Sequence, residues 1–74
     1  MEIKINPTNK TVQIITRVNN SIKASKMADQ IDNLPYLTVI NRNYKKKTVH
    51  ITCQINCQTT HEMLLNDLEI INQN

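Results

Sequence analysis

Alternating and helical spacings of apolar residues follow one another along the first half of the chain. Residues 2–6 and 11–18 alternate between apolar and polar positions on either side of a proline-containing turn, which predicts a β-hairpin. Apolar residues then recur at the spacing of one helix face, at Ala24, Met27, Ala28, Ile31 and Leu34. Asn20 or Ser21 can cap this helix. Pro35 ends it, because the residue before a proline is driven out of the helical region.

The second half shows the same succession of patterns. Residues 36–41 predict a strand, residues 42–47 a polar turn, and residues 48–55 the most regular strand of the chain. Thr59 and Glu62 fit a capping box, in which the two side chains satisfy free backbone amides at a helix start. The apolar face of the following helix consists of Leu64, Leu65, Leu68 and Ile71.

The two halves align with each other at a spacing of 37 residues without a gap. Seven aligned pairs are identical, and their first members are Ile3, Asn6, Lys10, Thr11, Val12, Ile14 and Asn19. An internal repeat fixes the architecture, because each copy forms the same supersecondary unit. We therefore predict one α+β domain over residues 1–74, a ββαββα tandem repeat of units 1–37 and 38–74. Its four-stranded, mostly antiparallel sheet would carry both helices on one face.

A chain of 74 residues can build only a small core. A domain of this size buries only about 60% of the surface that its unfolded chain exposes, and such domains often gain stability from a partner subunit. The sheet face turned away from the helices is semi-polar and is either solvated or covered by a second copy. We expect a homodimer, because a second copy would add to the buried area.

The chain shows no pattern of a secretory signal, and no apolar run approaches the roughly 18 residues that a membrane span requires. Cys53 and Cys57 lie four residues apart, which is about 13 Å along a strand. A disulfide needs Cα atoms about 4.4–6.8 Å apart. We therefore expect free thiols, a cytoplasmic location and no membrane partner.

Four residues have the side-chain types that ligate zinc: His50, Cys53, Cys57 and His61. Strand alternation places His50 on the face opposite Cys53, so we do not expect the four to converge on a metal. Cys57 and His61 are also types used in nucleophilic catalysis, but the sequence shows no third group to orient them. The absence of glycine argues against a phosphate-binding loop. We predict neither enzymatic activity nor a cofactor.

Charge is divided unevenly along the chain. Residues 1–47 contain all nine Lys and Arg residues and three acids, for a net charge of +6. Residues 48–74 contain three acids and no Lys or Arg, for a net charge of −3. Surfaces of one sign favour partners of the opposite sign. The sequence therefore predicts two candidate binding surfaces, one acidic and one basic.

The acidic candidate consists of Glu62, Asp67 and Glu69 on the last helix, with Asp29 and Asp32 near the end of the first. A helix pair carrying these five carboxylates suits a basic protein surface, including one built for DNA phosphates. An ordinary solvated face is the alternative.

The basic candidate consists of Lys45, Lys46 and Lys47 at a hairpin tip, joined by Arg42. Phosphate contacts from these side chains would give salt-dependent nucleic-acid binding without sequence reading. The chain has only two aromatic residues, so it offers no platform for stacking bases. A nucleic-acid-binding regulator acting through Lys45–Lys47 is the alternative function. The lysine run can also be no more than a solvated turn.

The length, the glycine-free composition rich in asparagine, lysine and isoleucine, and the acidic last helix together resemble small early proteins of staphylococcal phages. Within that group the chain looks most like the Twort-type inhibitors of the host DNA-polymerase sliding clamp. The resemblance implies a dimeric inhibitor in the host cytoplasm that lodges in the basic DNA channel of the clamp and blocks DNA loading. It also implies that the five carboxylates face the channel. The net charge of +3 departs from a pure DNA mimic, so the basic part would point away from the channel wall or meet acidic groups.

Overall fold

A computed structural model of the chain describes residues 1–73. The elements follow in the order β1 (Glu2–Asn6), β2 (Thr11–Arg17), α1 (Ser21–Asp32), β3 (Leu37–Lys45), β4 (Thr48–Ile55) and α2 (His61–Gln73). The strands form one sheet in the spatial order β1-β2-β4-β3, and every neighbouring pair is antiparallel. The predicted ββαββα order and the α+β class are therefore confirmed.

The two central strands pair in the way that a duplicated unit predicts. β2 and β4 run antiparallel with Ile14 directly opposite Ile51. These two residues are 37 positions apart, so the centre of the strand pairing is also a matched pair of the sequence alignment. The register fits a pseudo-twofold axis that passes between the two isoleucines.

Both helices cover the same face of the sheet, because strand alternation gives β2 and β4 one apolar face. The inward residues of these strands and the apolar faces of α1 and α2 form a single core. Its most deeply buried side chains include Ile14, Ile31, Ile51, Leu64 and Leu68. On the opposite face Gln13 and His50 are exposed and lie 3.3 Å apart in a hydrogen bond.

The second hairpin differs from the predicted one. Residues 42–45 belong to β3 and not to a turn, because their backbone pairs with the regular strand β4. The turn is reduced to Lys46 and Lys47, which both have positive φ, at 53° and 60°. Two-residue hairpin turns require positive φ at both positions and usually place asparagine or glycine there. A bulge between Val39 and Asn41 shifts the register, and Ile40 is 57% exposed there.

The helix starts are set by side-chain caps. Asn20 caps α1, since its side-chain oxygen accepts a hydrogen bond from the Lys23 amide at 2.9 Å. In α2 the capping residue is Thr60, whose hydroxyl accepts from the Met63 amide at 3.1 Å, so the capping box predicted at Thr59 is wrong by one residue. Within residues 1–73, neither helix has the length and apolar character needed to cross a membrane.

Candidate functional site

The five predicted partner-binding carboxylates fall into two groups. The first group, on α1, already serves the fold. Asp29 accepts a hydrogen bond from the Arg42 guanidinium at 3.1 Å, in an ion pair whose two side chains are both exposed. Asp32 lies at the end of α1, and its carboxylate accepts from the backbone amide of Val39 at 2.9 Å. These two residues therefore tie α1 to β3.

Asp67 also has a partner inside the protein, although it belongs to α2. The hydroxyl of Tyr36 donates a hydrogen bond to the Asp67 carboxylate. Tyr36 is buried and Asp67 is half-buried. Burial, and then the neighbouring carboxylate, raises the pKa of Tyr36 well above its usual value. This contact fixes α2 to the segment that connects α1 with β3.

We expect Tyr36→Phe to lower the free energy of unfolding by about 1.5–3 kcal/mol, because the change leaves a half-buried carboxylate without its donor. Tyr44→Phe is the matched control, since the Tyr44 hydroxyl donates to the neutral carbonyl of Val18 at 3.2 Å. The control should cost only about 0.5–1.5 kcal/mol. Urea denaturation of the two variants measures both values. An equal or smaller loss in Tyr36→Phe would show that the Asp67 contact adds no stability.

The second group consists of Glu62 and Glu69, on the outer side of α2. Both side chains are exposed, and neither forms a hydrogen bond or an ion pair with the part of the chain that the structure describes. They are seven residues apart, so they lie two turns from each other on one face. α2 contains no Lys or Arg that could neutralise them. We call the exposed side of α2 that carries them the α2 outer face.

Two large apolar side chains share the α2 outer face, and the sequence analysis missed them. Met63 is 54% exposed and Ile70 is 53% exposed. They are also seven residues apart, next to Glu62 and Glu69 respectively. An apolar pair bordered by charges of one sign is typical of a protein-binding surface. The sequence could have predicted their exposure, because both are apolar residues that fall outside the apolar stripe of the helix that packs on the sheet.

The structure separates the four predicted nucleic-acid-binding residues. Lys46 and Lys47 form the tip of the β3–β4 hairpin, and Lys45 is the last residue of β3. Arg42 does not join them, because it pairs with Ile51 in the register and its side chain reaches Asp29 on α1. Three lysines therefore remain together at the tip.

Three further cations were not predicted as site residues. Arg17, Lys23 and Lys26 line a groove of about 370 Å³ between the start of α1 and the last turn of α2. Met27 and Ile71 also line the groove and supply apolar surface. This grouping cannot be predicted from the sequence, because the residues are far apart in the chain and meet only where β2 ends beside both helices.

The four residues with zinc-ligand chemistry do not form a site in the described structure. Cys53 is buried in the core, whereas Cys57 is exposed and no disulfide joins them. His50 lies on the open sheet face beside Gln13. No group of three or more His, Cys, Asp or Glu residues within residues 1–73 has a geometry that could hold a metal ion.

Comparisons with protein-family models, curated proteins and solved structures find no match to this chain.

Proposed function

We propose that this protein is a non-enzymatic inhibitor that binds a bacterial replication sliding clamp through the α2 outer face and occludes the DNA channel. The observation that carries the proposal is the exposed pair Glu62 and Glu69, which bind no group within the described chain. A channel built to hold DNA is lined with positive charge, so two unneutralised carboxylates two turns apart suit its wall. The likeness in length, composition and acidic last helix to small phage inhibitors of the clamp is a second reason to propose this partner.

The apolar pair on the α2 outer face indicates a protein partner that makes apolar contacts. Carboxylates that only took the place of DNA phosphates would not need exposed apolar neighbours. Met63 and Ile70 would be removed from water on binding, and burial of apolar area is the main favourable term in association. The carboxylates at their side would steer the approach and select a basic surface. The four side chains form two neighbouring rows on α2, one apolar and one acidic, and both rows are exposed.

The proposal narrows the set of carboxylates that contact the partner. Asp67 is held by Tyr36 and half-buried, and Asp29 and Asp32 serve β3, so Glu62 and Glu69 are assigned the contact. Inhibition would follow from occupancy of the channel and would require no covalent step. A homodimer would present two such faces, and sedimentation of the purified protein measures whether one forms.

The test compares two double variants that change the net charge equally. Glu62→Gln with Glu69→Gln removes the proposed contact, whereas Glu2→Gln with Asp29→Asn removes two acids away from the α2 outer face. The second pair also breaks the Asp29–Arg42 ion pair, whose loss should cost at most about 1 kcal/mol because both side chains are exposed. We expect the first pair to weaken binding to a purified staphylococcal sliding clamp about tenfold or more and to reduce its salt dependence. The second pair should bind as the unmodified protein does. Calorimetric titration at two salt concentrations gives both quantities.

Two results would contradict the proposal. Absence of any clamp binding by the unmodified protein would remove the partner. Equal weakening by both double variants would show that net charge, and not the α2 outer face, governs the interaction.

A further inference from the structure

Six of the nine Lys and Arg residues gather at one end of the molecule, which we call the basic end. It comprises Arg17, Lys23, Lys26, Lys45, Lys46 and Lys47. β2 ends and β4 begins there, because Arg17 lies opposite Thr48 in the register. The β3–β4 turn is therefore beside the end of β2, and α1 starts from the same place.

The groove and the hairpin tip adjoin each other at Val18. Arg17, Lys23 and Lys26 line the groove between α1 and the last turn of α2, together with Val18. Val18 also joins the groove to the hairpin, since its amide donates to the Lys47 carbonyl at 3.0 Å. The hairpin tip with its three lysines is therefore adjacent to one side of the groove.

None of the six cations is neutralised within the described residues. The one ion pair found among residues 1–73 joins Asp29 to Arg42, which is outside the basic end. Six like charges without counterions repel one another and oppose compact folding. The fold therefore gains nothing from this grouping of charges.

The opposite end of the molecule provides an internal comparison, because its aligned positions carry only one of these six charges. Arg17, Lys23 and Lys26 align with three uncharged residues of the second unit, which are Gln54, Thr60 and Met63. The hairpin lysines align with Thr8, Asn9 and Lys10, of which only the last is charged. The β2–α1 end and the β4–α2 end occupy matching places in the fold. Five of the six charges are absent from the matching end, so the shared order of elements does not depend on them.

We propose that the basic end binds the phosphate backbone of duplex nucleic acid without reading its sequence. Phosphates are the ligands that unpaired Lys and Arg side chains hold in a salt-dependent manner. A groove followed by a projecting hairpin spans more than one phosphate, which favours a polymer over a single anion. Single strands are bound mainly through stacked aromatic side chains. Tyr36 is buried and the Tyr44 hydroxyl is engaged by Val18, so a duplex fits better.

This proposal concerns a different surface from the α2 outer face and does not depend on clamp binding. The variants at the two sites change different residues, so each binding assay tests one site. A protein with both would hold a basic partner on one side and a polyanion on the other.

The test uses fluorescence anisotropy with a labelled DNA duplex and two matched double variants. Lys23→Gln with Lys26→Gln alters the groove, and Lys4→Gln with Lys10→Gln removes the same charge elsewhere. All four side chains are exposed, so both variants should fold. We expect the groove variant to weaken binding by at least about tenfold at physiological salt and to reduce the slope of log K against log salt by about two. The control should change both values much less.

The same assay contains the outcomes that would overturn the proposal. No binding of the duplex at low salt by the unmodified protein would remove it. Equal losses in both double variants would assign the binding to net charge alone. Competition by free inorganic phosphate as effective as that by unlabelled duplex would define a small-anion pocket instead. Duplexes of different sequence should bind alike, and a strong preference for one sequence would contradict backbone recognition.

Discussion

Replacing Ile14 or Ile51 by alanine is expected to destabilise the protein by about 2–5 kcal/mol, the range for deleting a buried isoleucine side chain. Both side chains have no exposed surface and face each other at the centre of the sheet. They lie in the core that the two helices share, so each deletion leaves a cavity between sheet and helices. The surrounding strands are held by pairing on both sides and can relax only partly.

The loss is large for a domain of this size. Folded proteins are stable by roughly 0.05–0.15 kcal/mol per residue, so one such cavity removes a major part of the total for 74 residues. Ile15→Ala is the control, because Ile15 is a neighbour on β2 that faces the open side of the sheet and is half-buried. We expect the control to cost less than about 1 kcal/mol. Urea denaturation measures these differences in the free energy of unfolding, through the shift of the midpoint when the dependence of that free energy on urea concentration is unchanged.

The comparison between Ile14→Ala and Ile51→Ala tests the prediction that the chain is a tandem repeat. The two residues are aligned in the repeat and equally buried, so their costs should agree within about 1 kcal/mol, the scatter expected of similar sites. If one substitution is tolerated and the other unfolds the chain, the two halves do not share the core as equals.

The sequence predicts the elements whose hydrophobic period is regular. β2 and β4 lie at the centre of the sheet with one buried face, so their alternation is strict, and the helices show the matching stripe. β3 lies at an edge and is held by backbone pairing to a single neighbour. Its second part, Arg42 to Lys45, is polar, so the sequence pattern predicts a turn there. A polar segment can extend an edge strand because the hydrogen bonds come from its backbone.

The sequence predicts the charge of the candidate surfaces but not which of their acidic residues have partners inside the protein. The seven-residue spacing of Glu62 and Glu69 already places them on one helix face. The partners of the other acids are distant in sequence, since Arg42 lies 13 residues from Asp29 and Tyr36 lies 31 residues from Asp67. Such contacts depend on which element packs beside which. Residue types alone therefore give five candidates, and only the fold reduces them to two.

The basic end depends on the topology in the same way. Arg17 and Lys47 are 30 residues apart in the chain, yet β2 and β4 are neighbours, and the end of one meets the start of the other. The sequence showed the lysine run because it is continuous. It concealed the three groove cations, which come from the end of β2 and from α1.

The two cysteines are expected to react with a thiol reagent at rates that differ by about a hundredfold or more. Cys53 has no exposed surface, and burial, with a smaller effect of Asp32, raises the pKa of its thiol to about 11. The thiolate is the reactive form, so at pH 8 a rise of about two pKa units lowers its population about a hundredfold, and burial adds a steric barrier. Cys57 is exposed and should react at once.

Cys57→Ser isolates the slow thiol, and Cys53→Ala isolates the fast one. In Cys57→Ser the remaining modification should accelerate with urea, because Cys53 becomes accessible when the core opens. Equal rates for the two single-cysteine proteins would show that Cys53 is accessible and that the β4 core face is not closed.

The raised pKa of Cys53 also predicts how stability depends on pH. The unfolded thiol ionises near 9.0, whereas the folded thiol ionises near 11. Stability from this group is therefore fully present below about pH 9 and is lost as the pH rises through about 11, because only the unfolded state releases the proton in between. The measurement is the difference between the unmodified protein and Cys53→Ala, because that difference isolates the contribution of this thiol. The unmodified protein should lose stability more steeply over that interval, and parallel pH profiles would mean that Cys53 ionises equally well in the folded state.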